Sequence, residues 1–300
     1  MRKFNIPAHY ENHETVRIEM PRNLSTDLNS YNFFSFISEH TKRFTQENIQ
    51  LDFFHNEYLD VNSCSILASL INELHSKYNI VEILNLSPET DRLLIENKFF
   101  QTVFNEYDLD IISYNSKMPC LSFLKNESSK FVEYLDEGLL SMVQLPKMTS
   151  KLKKIINERL LEIFSNAHEH GSCKLFYSSG EYSLKKGKIT ITLANTGKTI
   201  RENVNECFNI KISAIQALNW AVEEGNTTRK GNIPGGLGIS LLREFLFHNN
   251  GYLEIVSGNG LWQERDGKIT THTLNFRFSG TIVNIVININ DNKYYKLASE

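Results

Sequence analysis

The chain has 300 residues, 41% of them hydrophobic, enough to fill one large or two ordinary cores. A formal charge of −3 supplies no general attraction to nucleic acid or to an anionic membrane, so neither is an expected partner. The four cysteines, Cys64, Cys120, Cys173 and Cys207, form no CxxC pair, which fits neither a zinc ribbon nor a disulfide framework and points to reduced thiols in a cytoplasm. After Met1 the chain meets Asn5 and Pro7 with no apolar signal core, and no stretch approaches the roughly 20 apolar residues of a membrane helix, so a soluble, cytoplasmic protein is expected.

In chain order, residues 15–20 alternate as a strand, and residues 24–44 carry Phe and Leu at helical spacings behind a cap region of Ser25, Thr26 and Asp27. A strand is expected at 49–54, a helix at 63–77 with Ile66, Leu67, Leu70, Ile71 and Leu74 on one face, and a strand at 80–84. That alternation predicts an α/β layer domain over residues 13–110. With Tyr58-Leu59-Asp60-Val61-Asn62-Ser63 at a strand-to-helix turn, the stretch resembles a degenerate STAS domain, the fold of anti-anti-sigma factors. Where that family often carries a phosphorylatable serine this chain has Asn62, with Ser63 one place later, so the resemblance implies a structural or docking module. Residues 111–145, of mixed polarity and with Pro119 and Pro146 as breakers, read as a connector with short helices, and a second domain is expected over 146–290.

Leu152, Ile156, Leu160, Ile163 and Ala167 recur at spacings of four and three, so 151–170 reads as an amphipathic helix ended by Gly171. Glu162 and Asn166 stand one turn apart on one face, with His170 a further turn along. A carboxylate can deprotonate a water and an amide oxygen is a hard ligand suited to magnesium, although both residues are also ordinary on a solvated helix face. His168, His170 and Cys173 lie close in sequence, but 168 and 170 point about 200° apart on a helix and no HExxH is present, so zinc is not expected.

A strand at 188–193 runs into Ala194-Asn195-Thr196-Gly197-Lys198-Thr199, whose end copies a Walker A loop. The P-loop pattern requires glycine at 192, where the chain has Thr192, and the polar residues 201–205 do not read as the helix that must follow. At 231–246 a glycine-rich loop containing Gly236 and Gly238 precedes a helix periodic in Ile239, Leu242, Phe245 and Leu246, which offers backbone N–H groups to phosphate oxygens at a helix N-terminus. Between them, residues 201–234 form a polar segment with a helical stretch near 212–223 and with Arg229 and Lys230, cations that either neutralise a phosphate or form an exposed basic turn. Strands are expected at 252–257 and at 279–285, the latter beginning Ser279-Gly280-Thr281.

The string Glu162-Ile163-Phe164-Ser165-Asn166-Ala167-His168-Glu169-His170-Gly171, followed by Asn195-Thr196-Gly197, by Gly236-Leu237-Gly238 and by Gly280-Thr281, resembles the ordered motifs of GHKL ATPases, especially the anti-sigma serine kinases. The resemblance implies an α/β two-layer sandwich with helices on one face of a mixed sheet, and ATP and magnesium as ligands. It assigns Glu162 as general base, Asn166 as magnesium ligand and His170 as support. Asn195, in place of the family's aspartate, and Gly197 would hold the base, with Thr199 where the family has a second glycine. Gly236 and Gly238 would hold phosphates, and 201–234 would be the ATP lid. Three functions stay open: an ATPase whose lid closure regulates a protein partner, a protein serine/threonine kinase acting on a STAS-like or other regulatory protein, and a nucleotide-binding interaction module with little turnover. A histidine kinase is least expected, since no dimerisation helix with a phosphoacceptor histidine directly precedes the domain. A homodimer remains open.

Overall fold

The computed structural model describes residues 15–104, 117–226, 238–297 and 299–300. The chain opens with β1 (Thr15–Glu19), the short β2 (Asn23–Leu24) and α1 (Leu28–His40), which starts at Asp27 because that carboxylate accepts the N–H of Ser30 at 2.8 Å. Then follow β3 (Asn48–Asp52), β4 (Tyr58–Leu59), α2 (Ser63–Ser76), β5 (Ile80–Leu84), α3 (Pro88–Glu96) and α4 (Phe99–Phe104). Strands β1, β3 and β5 pair in parallel in that order. Parallel neighbours need a crossover, and α1 and α2 are those crossovers. The expected α/β layer is present.

The remaining elements are β6 (Lys117–Leu124), α5 (Ser128–Tyr134) with a π-helical turn at Leu135–Leu140, α6 (Ser150–Glu169), β7 (Leu175–Ser183), β8 (Lys188–Asn195), α7 (Ile200–Phe208), α8 (Ala214–Val222), α9 (Gly238–Asn249), β9 (Tyr252–Arg265) and β10 (Lys268–Asn288). Five strands form one sheet in the order β6-β7-β8-β10-β9. Every pairing in it is antiparallel, where a mixed sheet was expected. The reason is local: β7–β8 and β9–β10 are consecutive hairpins, the second turned by Asp266-Gly267 alone, and a two-residue turn permits only the antiparallel arrangement.

The stretch expected as a connector contributes β6, which pairs with β7 at one edge of this sheet. Pro119, read from sequence as a breaker, lies inside β6 next to the register shift between Met118 and Leu121. An edge strand tolerates a missing N–H there.

Helices were expected on one face of the sheet, and they cover both. Alternation sends Ile189, Ile191 and Leu193 of β8, Val283 and Ile285 of β10 and Ile255 of β9 into a core with α6, α8 and α9. It sends Ala194, Val256, Ile282 and Tyr177 into a second core with α1 and α2. Helix α2 is therefore clamped between the parallel and antiparallel sheets, with Ser63 through Ile71 all buried. Its serines let the backbones approach: the N–H of Ser65 donates to Ser179 Oγ at 3.1 Å, and Ser65 Oγ donates to the Thr192 carbonyl at 3.3 Å. A buried polar chain crosses the same face, in which Thr192 Oγ1 donates to Asn284 Oδ1 at 2.9 Å, Asn284 Nδ2 to Glu254 Oε2 at 2.8 Å, and the Tyr31 hydroxyl to that oxygen at 2.7 Å. No helix among the described residues is long and apolar enough to cross a membrane.

Candidate functional site

Helix α6 begins where Thr149 Oγ1 accepts the N–H of Leu152 at 3.1 Å, and it buries Leu152, Ile156, Leu160, Phe164 and Ala167. Its adjoining face, with Arg159, Glu162, Ile163, Asn166 and His170, lines a cavity of about 190 Å³. Leu193, Ile255 and Val283 of the sheet form the floor, and Asn203 and Val204 of α7 with Leu218 and Val222 of α8 form the opposite wall. Asn195 and Lys198 complete the end near Gly171.

That end is held by close backbone contacts. The N–H of Lys198 donates to the Gly171 carbonyl at 2.8 Å, and that of Gly197 to the Ser279 carbonyl at 3.3 Å. Gly197 has φ +145°, and a Cβ there would overlap the Gly171 carbonyl oxygen, so a side chain is excluded both by conformation and by space. A Cβ on Gly280 would overlap the Asn195 carbonyl oxygen. Ser257 Oγ donates to the Gly280 carbonyl at 2.7 Å and accepts the N–H of Ile200 at 3.0 Å. The C-terminus of α6, the end of β8, the start of α7 and strands β9 and β10 thus meet at one junction.

The structure brings Glu162, Asn166, His170 and Asn195 together around the cavity. Gly197 is part of the junction behind it. Thr199 instead caps α7, accepting the N–H of Glu202 at 3.2 Å while the Glu202 carboxylate accepts the Thr199 N–H at 2.8 Å. Gly238 is the first residue of α9. Arg229, Lys230 and Gly236 lie outside the described residues. Within the segment expected as a lid, α7 and α8 pack on each other and on β9, with Leu218 and Val222 buried.

A helix does follow Gly197-Lys198-Thr199 directly, contrary to the reading of 201–205 as too polar, because the capping box compensates for the weak apolar period. The segment is still no P-loop. Thr192 sits inside β8, paired with Asn284, where a phosphate-wrapping turn would be needed, and Lys198 Nζ is engaged by Glu206 at 2.6 Å.

His168 points away from the cavity, its ring edge-on to Phe164 at 4.6 Å and its Nδ1 3.2 Å from the Cys173 carbonyl. Burial pulls its pKa below the ordinary histidine value, so it is a neutral core residue. No cluster of three or more His, Cys, Asp or Glu side chains suited to a metal occurs among the described residues.

Sequence reasoning missed Arg159, whose Nη1 donates to Glu162 Oε2 at 3.1 Å with both side chains mostly shielded from solvent. The i,i+3 spacing on a helix already expected to carry the site was the available signal. It also missed the cavity-lining Asn203, Trp220 and Asn226, which come from the segment read as a polar lid. A scan of protein-family models finds no match to this chain, and no curated protein matches it in sequence.

Proposed function

We propose that the chain binds ATP with magnesium and hydrolyses it, as a GHKL-type domain (residues 146–290 with β6) joined to a STAS-like layer, and that closure over the cavity is read by a protein partner. The observation that carries this reading is that one cavity gathers Glu162, Asn166 and His170 from α6 and Asn195 from the end of β8, residues drawn from two separate motif segments. The donor chemistry fits the ligands. Asn166 offers a hard amide oxygen of the kind magnesium takes, one helical turn from the Glu162 carboxylate, and Asn195 lines the same cavity. Magnesium, when bound, neutralises phosphate charge. In this reading the chain's own residues do the rest: Glu162 takes the proton of the attacking water, Arg159 orients that carboxylate, and the Gly197 junction holds Asn195 in place.

Burial of Asn62 and Ser63 in the first turn of α2, against the sheet face opposite the cavity, supports hydrolysis over phosphotransfer to the chain's own first unit. A kinase of this type needs an acceptor from another molecule. Incubating the purified protein with magnesium and γ-labelled ATP separates the readings as free phosphate, labelled protein or neither. The expected result is free phosphate, with Glu162→Ala lowering turnover by on the order of 10²–10⁴-fold while nucleotide binding persists, and Asn166→Ala losing the magnesium-dependent part of affinity. If ATP with magnesium fails to raise the melting temperature at all, the reading is refuted.

A further inference from the structure

Two chemically different walls face each other across the cavity. On α6, Arg159 and Glu162 are ion-paired at 3.1 Å, and Asn166 and His170 add polar groups, so the charged part of a ligand belongs there. The wall made by α7 and α8 is neutral, and among its described residues Asn203 and Trp220 bring the polar side-chain groups that line the cavity. Lys198, just ahead of α7, has its charge taken up by Glu206 at 2.6 Å. A ligand with a charged end and a neutral end is thereby turned one way round.

Trp220 is held in place but left open. Ala214, Ala217, Leu218 and Val222 bury the rest of α8, and Phe208 of α7 packs edge-on against the indole with ring centroids 5.3 Å apart. The Trp220 carbonyl accepts Asn226 Nδ2 at 2.8 Å, which ties down the end of the helix. Both Asn203 and Trp220 are half-buried, and neither the Asn203 carboxamide nor the Trp220 indole N–H makes a hydrogen bond among the described residues. Phe176 also lines the cavity, but it is 1% exposed and wedged edge-on against Phe131 and Phe164 at 5.4 and 5.3 Å. Trp262 is fully buried beneath the Arg243 guanidinium. Trp220 is therefore the large aromatic surface that the described residues offer to the cavity. Another flat ring covers such a surface best, and an amide with one acceptor and two donors suits the polar edge of that ring.

The geometry points to Trp220 as the stacking surface for a planar heteroaromatic ring in this cavity, with the Asn203 amide bonding the ring's polar edge. The ring is the purine under the nucleotide reading above, on which this inference rests. It places the base against α7 and α8, across the cavity from the ion pair on α6, and makes the α7–α8 wall part of the ligand's own contact surface.

Titration of the full chain with magnesium ATP and, separately, with magnesium tripolyphosphate, which has no ring, tests this by tryptophan emission and calorimetry together. Enclosed Trp262 supplies a constant background. ATP is expected to quench part of the emission along its calorimetric binding curve, and tripolyphosphate to leave emission unchanged. Trp220→Leu should abolish the quench and weaken ATP binding roughly 5- to 150-fold, whereas Trp220→Phe, which keeps a ring, should hold ATP within about fivefold of wild type. Asn203→Ala should weaken ATP roughly 2- to 13-fold while the quench persists. The proposal is overturned by tripolyphosphate quenching as strongly as ATP, by ATP binding without a change in emission, by equal losses in Trp220→Leu and Trp220→Phe, or by ATP affinity unweakened in Trp220→Leu or Asn203→Ala. If Trp220→Leu does not melt cooperatively, the two wild-type titrations decide. Failure of wild type to bind ATP at all removes the nucleotide reading and the proposal with it, while every other adverse result strikes the stacking alone.

Discussion

Ile49 lies in β3, the central strand of the parallel sheet, and is fully buried, far in sequence from both tryptophans, Trp220 and Trp262, which belong to the antiparallel half. Because α2 is clamped between the two sheets, damage to the first sheet should be felt across the second. Ile49→Ala removes buried aliphatic volume and is expected to cost about 2–5 kcal/mol. For 300 residues the unfolding entropy near the midpoint is about 0.6 kcal/mol per kelvin, so the melting temperature should fall by about 3–8 °C. Tryptophan fluorescence reports the antiparallel half alone, and far-UV circular dichroism reports the whole chain. The two transitions should coincide in wild type and move together in the variant. A circular dichroism signal that falls early while the fluorescence midpoint stays fixed would refute a shared core.

Tyr31→Phe takes from Glu254 the hydroxyl donor at 2.7 Å, leaving the side-chain amides of Asn284 and Gln263 to bond that carboxylate, and should cost about 1.5–3 kcal/mol in urea unfolding; a loss under about 0.5 kcal/mol would show that the contact carries no net stability. Burial lowers the His168 pKa from 6.5, so the unfolded chain binds the proton more readily than the fold does: the stability His168 contributes is complete above about pH 6.5 and declines as pH falls below it. His168→Phe should flatten that acid-side loss by up to about 1.4 kcal/mol per pH unit in stability measured across pH, and an unchanged slope contradicts the assignment. Gly197→Ala meets both a disfavoured φ and the Gly171 carbonyl, and should lower stability by about 1–3 kcal/mol or more; a melting temperature equal to that of wild type would mean the junction is looser than described.

Periodicity made the long elements legible. Helix α6 appears within one residue of its expected start and end because Leu152, Ile156 and Leu160 repeat at clean helical spacing and Thr149 caps it. The cavity face of that helix was legible too, since Glu162, Asn166 and His170 stack by turn geometry alone. What sequence obscured was context. Helix α2 looked one-sided because its second face consists of Ser65, Ala68 and Ser69, small residues that suit tight packing on a sheet as well as exposure to water. Strand β6 was hidden by Pro119, tolerable only because the strand is an edge, and the edge is a tertiary fact. Helix α7 was missed although Thr199 and Glu202 carry a capping-box spacing, a signal that outweighed the polar residues between them.

The back of the antiparallel sheet has consequences for what can reach the cavity from outside. With α1 and α2 seated there, and Tyr31 and Ser65 bonded into its strands, that surface offers no landing place unless the chain's own first layer lets go. Access is left to the helical side, where α6, α7 and α8 surround the cavity, and to the β9 flank of the sheet. The β6 flank is already occupied: the Cys120 N–H donates to the Asn97 carbonyl at 2.8 Å, Asn97 Nδ2 to the Met118 carbonyl at 3.2 Å and Thr102 Oγ1 to the Cys120 carbonyl at 2.6 Å. A protein partner of the kind proposed would therefore meet α6, α7 and α8 before it met the sheet beneath them.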